Sequence, residues 1–183
     1  MKKKLILMLA FGFVFCLSIS AVHAASVTMD PANPSIAPGG SFTINLLYDF
    51  DLPTTGVLGG IIDIGFNDEV LNLGTVAWDT NFLTEIDGAL SQLPTDNSDG
   101  TTGALDGWEF ANFSPITGTG TIGTVNFQVD PFAILGETDI TIAANSWADG
   151  VGGSITPDLT GATVSVVPIP GSILLLGSGL VGL

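Results

Sequence analysis

Beyond residue 24 this chain has no cysteine, no histidine, no lysine and no arginine. Its one Cys (Cys16), one His (His23) and three basic residues (Lys2, Lys3, Lys4) all stand near the start of the 183 residues. Without thiols or imidazoles the later chain offers no disulfide, no thiolate nucleophile and no zinc site. Ser-His-Asp and Cys-His catalysis are excluded with them, because the base that would activate the nucleophile is missing. Without basic side chains nothing neutralises a phosphate, so nucleic-acid binding and Walker-type phosphate loops are excluded too. Chemistry is left to carboxylates, hydroxyls, amides and aromatic rings.

What is present begins with a leader. Lys2-Lys3-Lys4 is a positive n-region, Leu5 to Ile19 is an apolar h-region, and Val22-His23-Ala24 offers a small-residue cleavage site before Ala25. Residues 1–24 are expected to be a secretory signal peptide. All 18 acidic residues follow it, so the exported chain is strongly anionic. Such a surface favours solubility, disfavours anionic membranes and makes oxygen-liganded cations such as Ca²⁺ its natural counter-ions.

The other end carries Val167-Pro168-Ile169-Pro170-Gly171-Ser172, then the nearly pure apolar run Ile173 to Leu183. Two prolines two apart stop a strand or a helix, and the glycine spacing beyond suits close packing in a membrane. A helix from Ile169 to Leu183 would rise about 22 Å, short of the roughly 30 Å hydrocarbon core. Residues 167–183 resemble the PEP-CTERM sorting signal in its V-P-x-P variant, carried by Val167, Pro168, Ile169, Pro170 and Gly171. The resemblance implies a C-terminal hydrophobic helix held in the inner membrane of a Gram-negative bacterium. It also implies processing by an exosortase-type enzyme and release to the cell surface or extracellular matrix. The basic cluster that completes such signals does not occur before Leu183, which fits a truncated reading frame or a tail retained poorly.

Between the two ends lie about 140 residues, enough for one domain. Short apolar alternations broken by Gly, Pro, Asn, Asp and Thr predict an all-β antiparallel sandwich or jelly roll. Phe42, Ile44, Leu46, Tyr48 and Phe50 mark one strand, and Ile62, Ile64 and Phe66 another. Trp108, Phe110 and Asn112 suggest a third, Val125, Phe127 and Val129 a fourth. Ile140, Ile142 and Ala144 follow, and Ala162 to Val166 closes the series. Gly74 to Leu93 reads two ways, since Trp78, Phe82 and Ile86 fit helical spacing as well as core aromatics under a loop. Residues 94–103 read as a surface loop, 116–123 as a Thr/Gly connector and 145–157 as a Gly/Asp-rich loop.

The segments Ile36 to Ile44, Gly59 to Leu71 and Gly120 to Val129, with the closing strand, resemble a cohesin-like domain over residues 25–166. The resemblance implies a nine-stranded jelly roll that binds a dockerin-type partner through one sheet face. Trp78 to Asn112 departs from the pattern in length and aromatic content.

Three constellations could carry chemistry. In Asp106-Gly107-Trp108-Glu109-Phe110, the pair Trp108 and Glu109 could stack on a sugar and hold its hydroxyls. On a strand, though, the two side chains point to opposite faces, which would put Trp108 in the core. Asp96-Asn97-Ser98-Asp99-Gly100 has a calcium-loop flavour without EF-hand spacing, and reads as a solvated turn. Asp79, Glu85, Asp106 and Glu109 could supply the two carboxylates of a glycoside hydrolase, but nothing in the sequence pairs them. No metal ligand set is defined. The expectation is a secreted, non-catalytic binding module for a protein or a polysaccharide. The alternatives are a structural matrix protein and, last, a carbohydrate-acting hydrolase.

Overall fold

The computed structural model describes residues 24–52, 55–86 and 90–168. The leader up to residue 23 and the sorting-signal residues Ile169, Pro170 and Gly171 lie outside them. Among the described residues, thirteen strand segments form two packed sheets, accompanied by one short helix. One sheet has the order β12-β1-β3-β9-β5 and comprises Asp158–Thr160, Ser26–Asp30, Ser41–Asp49, Thr119–Val129 and Leu71–Trp78. The larger runs β2-β13-β10-β4-β8-β6: Ser35–Ile36, Ala162–Val166, Gly136–Asp149, Val57–Asn67, Thr102–Ile116 and Leu90–Gln92. On it, β7 (Thr95–Asp96) pairs with β8 and β11 (Ser154–Ile155) with β10.

The alternating residues fill the space between the sheets. Phe42, Ile44, Leu46, Tyr48 and Phe50 are buried, as are Ile62, Ile64, Phe66, Val125, Phe127, Val129, Val164 and Val166. In β10 the alternation is weaker: Ile140 is buried, but Ile142 and Ala144 are only half-buried.

Two edge pairings are parallel, where antiparallel order was expected throughout. β1 pairs β12, and β2 pairs β13. Both ends of the chain cross between the sheets: β1 passes through the cis Asp30–Pro31 peptide to β2, and β12 passes through Gly161 to β13. This splitting turns a smaller number of long strands into thirteen segments. It also fixes where the chain enters and leaves. Asp158 N donates to Ala25 O at one end of the sandwich, and Val167 N donates to Ile36 O at the other.

The segments read as connectors are largely strand. The chain passes from β8 of the larger sheet to β9 of the smaller one in a tight turn at Thr117-Gly118, with Gly118 at φ 83°. β10 runs to Asp149 through a bulge at Ser146, φ 53°. Residues 94–103 are mostly the surface loop expected, with β7 added. Glycines that looked like breakers are strand positions with aromatic rings over them. A Cβ at Gly103 would strike the Phe66 ring, at Gly120 the Tyr48 ring and at Gly123 the Trp108 indole. Rings covering strand glycines is a known way to make such positions tolerable in a sheet.

The ambiguous stretch resolves into both readings at once. β5 ends at Trp78, and helix α1 spans Thr80–Glu85. Asp79 caps it, accepting from Asn81 N and Phe82 N at 2.8 and 3.2 Å. Phe82 enters the core against Tyr48, Trp78 and Phe110. The other end of the helix is pinned twice: Tyr48 Oη donates to Glu85 Oε2 at 2.8 Å, and Asn112 Nδ2 donates to Glu85 O at 2.8 Å. Burial, and then the neighbouring Glu85 carboxylate, push the Tyr48 phenol well above its ordinary value of 10.0. The folded state therefore holds this proton above pH 10 while the unfolded chain loses it, so stability falls as pH rises past 10. Tyr48→Phe is expected to flatten that alkaline loss in pH-dependent melting. An unchanged slope would show that other groups cause it.

No helix among the described residues is long and apolar enough to cross a membrane.

Candidate functional site

The side chains of the larger sheet that point away from the core form a polar, anionic face. Glu137 and Asp139 on β10, Asp63 on β4, and Asp106 and Glu109 on β8 alternate with the buried residues of their strands. Asp63 ties three strands together. Its Oδ1 accepts from Gly107 N at 2.8 Å and its Oδ2 from Asn145 Nδ2. Asp106 Oδ2 accepts from Asn97 Nδ2 at 2.8 Å. These bonds fix the centre of the face as a firm surface.

Beside this network lies a shallow groove of about 220 Å³, lined by Leu58, Gly59, Ile61, Glu109, Ala111 and Ser146 among others. It exists because small residues come together there. Gly59 pairs with Ala111, where a Cβ would meet the neighbouring backbone. Sequence reasoning missed Asp63, Asn145 and this groove. Strand alternation could have placed Asp63 outward, but its partners are 44 and 82 residues away in sequence.

Trp108 and Glu109 do not act together. Trp108 is fully buried, packed edge-to-face on Trp78 with ring centroids 5.4 Å apart. As a ligand contact it is corrected: alternation on β8 sends the indole into the core and only Glu109 to the groove. The indole Nε1 is buried without a hydrogen-bond partner, the one such side-chain atom among the described residues. Trp147 is also buried, its Nε1 donating to Ile61 O at 3.0 Å, and Trp78 is half-buried. None of the three tryptophans presents an open ring to a sugar.

The four carboxylates considered for hydrolysis fall in two places. Asp79 and Glu85 bracket α1, where one caps the helix and the other holds Tyr48. Asp106 and Glu109 stand on the outer face of β8. The loop Asp96 to Gly100 is a hydrogen-bonded turn. Asp96 accepts from Ser98 N, and Asp99 accepts from Thr101 N and Thr102 N. These bonds hold both carboxyls below the usual carboxylate range, led by the Ser98 side chain for Asp96 and the Thr102 N–H for Asp99. No group of three or more potential metal ligands occurs among the described residues. Of the sorting motif, Val167 and Pro168 are described, and Val167 closes the fold on Ile36.

No family model matches this sequence, and no curated protein does. Solved structures do. The OlpC type I cohesin from Clostridium thermocellum, in complex with a dockerin, aligns with a TM-score of 0.63 over 83% of this chain and 99% of its own, at 12% identity. The cohesin CaCohA2 from Clostridium acetobutylicum gives 0.59 over 80% and 94%, at 16% identity. The fold is cohesin-like. A non-cellulosomal cohesin from the archaeon Archaeoglobus fulgidus gives 0.53 over 84% and 98%, at 15% identity. The cohesin-like fold thus accounts for nearly the whole of each neighbour.

Proposed function

We propose that this protein is a secreted, non-catalytic binding module that holds a dockerin-type protein partner on the outer face of its larger sheet. The observation that carries the reading is the end-to-end match to cohesin domains, one of them solved with a dockerin bound. A protein partner is favoured over a polysaccharide because no tryptophan lies open for sugar stacking. Delivery follows from the two ends of the chain. Cleavage after Ala24 would leave Ala25, the first residue seated in the fold, at the new N-terminus. The tail from Val167 would hold the domain at the membrane for an exosortase-type enzyme, on the way to the cell surface or matrix.

The face offers carboxylates and no cations, so its partner must bring Lys, Arg or hydroxyl donors. Immobilised full-length protein exposed to a surface extract of the source organism should retain one protein, saturably and with one-to-one stoichiometry. Raising NaCl from about 0.05 to 0.5 M should weaken that binding by about ten-fold or more. Unsaturable or absent retention would leave a structural matrix protein as the better reading. Release of sugar from a polysaccharide, abolished by Glu109→Gln, would establish the hydrolase instead.

A further inference from the structure

Seven large hydrophobic side chains are exposed among the described residues, and three of them fall within four positions. Phe132, Ile134 and Leu135, on the loop between β9 and β10, are 92%, 86% and 51% exposed. The loop is held in shape. Asp130 N donates to Val70 O at 2.8 Å, Asp130 Oδ1 accepts from Phe132 N at 2.7 Å, and Asp130 O accepts from Ala133 N at 3.0 Å. These bonds keep Phe132 turned outward, and the other exposed large hydrophobics, Leu83, Leu93, Phe113 and Val151, are scattered singly along the chain.

The position of this loop supplies its meaning. Gly136, where the loop ends, pairs with Val166, and Val166 lines the same groove of about 440 Å³ as Val70, Phe132, Ile134 and Leu135. One residue later Val167 closes on Ile36, and after Pro168 the sequence continues as the apolar run to Leu183. The apolar loop and the exit toward the tail therefore share one end of the sandwich. Ala25 lies at the other end.

We propose that Phe132, Ile134 and Leu135 form a foot that enters the headgroup–acyl boundary of the bilayer in which the tail is held. The proposal rests on the reading of the tail as a membrane segment. Apolar side chains at the interface supply the attraction. Glu69, Asp130 and Glu137 beside the loop disfavour anionic lipid, so the fitting surface is an uncharged phosphatidylcholine or phosphatidylethanolamine one. The foot stands the sandwich on its end and leaves the outer face of the larger sheet open sideways to a partner.

The exported chain has no cysteine, so one can be placed at will. Phe132→Cys and, at the opposite end, exposed Val151→Cys would each carry an environment-sensitive fluorophore in the exported chain from Ala25 to Leu183, reconstituted in phosphatidylcholine vesicles. The expected result is a blue-shifted emission and a several-fold slower aqueous quenching at position 132, with neither at 151. Equal quenching at both positions in vesicle-bound protein would overturn the foot and leave the tail reading intact. Failure of the chain to float with vesicles would overturn the tail reading and the foot with it. Protection of position 132 without lipid, together with a dimeric mass, would assign the loop to a second copy and overturn the membrane contact.

Discussion

Phe82→Ala is expected to destabilise the domain by about 3–5 kcal/mol, a large share of what a domain of this size has. Phe82 is buried, and its ring meets Trp78 face-to-face at 5.8 Å and Phe110 and Tyr48 edge-on at 5.3 and 5.4 Å. Each such pair adds about 0.5–1.5 kcal/mol beyond the area it buries. The six-residue helix that carries it cannot stand without that anchor, because a helix of one or two turns does not form alone in water. Loss of the ring should release α1 and, with it, the Tyr48–Glu85 and Asn112–Glu85 hydrogen bonds. Urea unfolding should show a lower midpoint with an unchanged slope. A loss below about 1 kcal/mol would mean that α1 merely decorates the sandwich.

Trp108 should behave asymmetrically. Trp108→Ala removes the largest fully buried side chain and leaves a cavity above Gly123, at an expected cost of about 3–5 kcal/mol. Trp108→Phe should cost about 1 kcal/mol or less. The smaller ring loses some packing, but the buried indole N–H has no hydrogen-bond partner, and an orphaned donor costs about 1–3 kcal/mol. The two effects oppose each other. A Trp108→Phe penalty close to that of Trp108→Ala would show that the N–H is satisfied after all. The same pair of variants also bears on the corrected sugar-contact idea, since neither should alter partner binding in protein that remains folded.

Much of the fold was legible because alternation is a local signal. Phe42 to Phe50, Ile62 to Phe66 and Val125 to Val129 declared their inward faces, and a buried core follows from them. What could not be read depends on partners distant in sequence. Gly120 and Gly123 looked like a connector until Tyr48 and Trp108 were seen over them, 72 and 15 residues away in the numbering. The same holds for the parallel edges, which need both ends of the chain to change sheets. Helix α1 was half legible, since its cap and its Phe82 anchor are local while Tyr48 and Asn112 are not. Of the candidate site, strand alternation already set Trp108 inward and Glu109 on the opposite face, and the structure has Trp108 in the core. Asp63 was passed over because a single outward Asp on a strand carries no signal until Gly107 and Asn145 meet it.

The central claim is that one sheet face binds and the other does not. Ala143 is exposed on β10 and pairs with Asp63 at the centre of the acidic face, and Asn72 is exposed on β5 of the smaller sheet. Full-length protein carrying Ala143→Arg or Asn72→Arg should be compared with the unaltered chain in capture from the surface extract, with circular dichroism showing that each is folded. Ala143→Arg puts bulk and an opposing charge where the partner's cations must sit. Loss of capture with Ala143→Arg, and full capture with Asn72→Arg, is the predicted result. Loss with Asn72→Arg alone, or capture untouched by either, would contradict the assignment of the binding face.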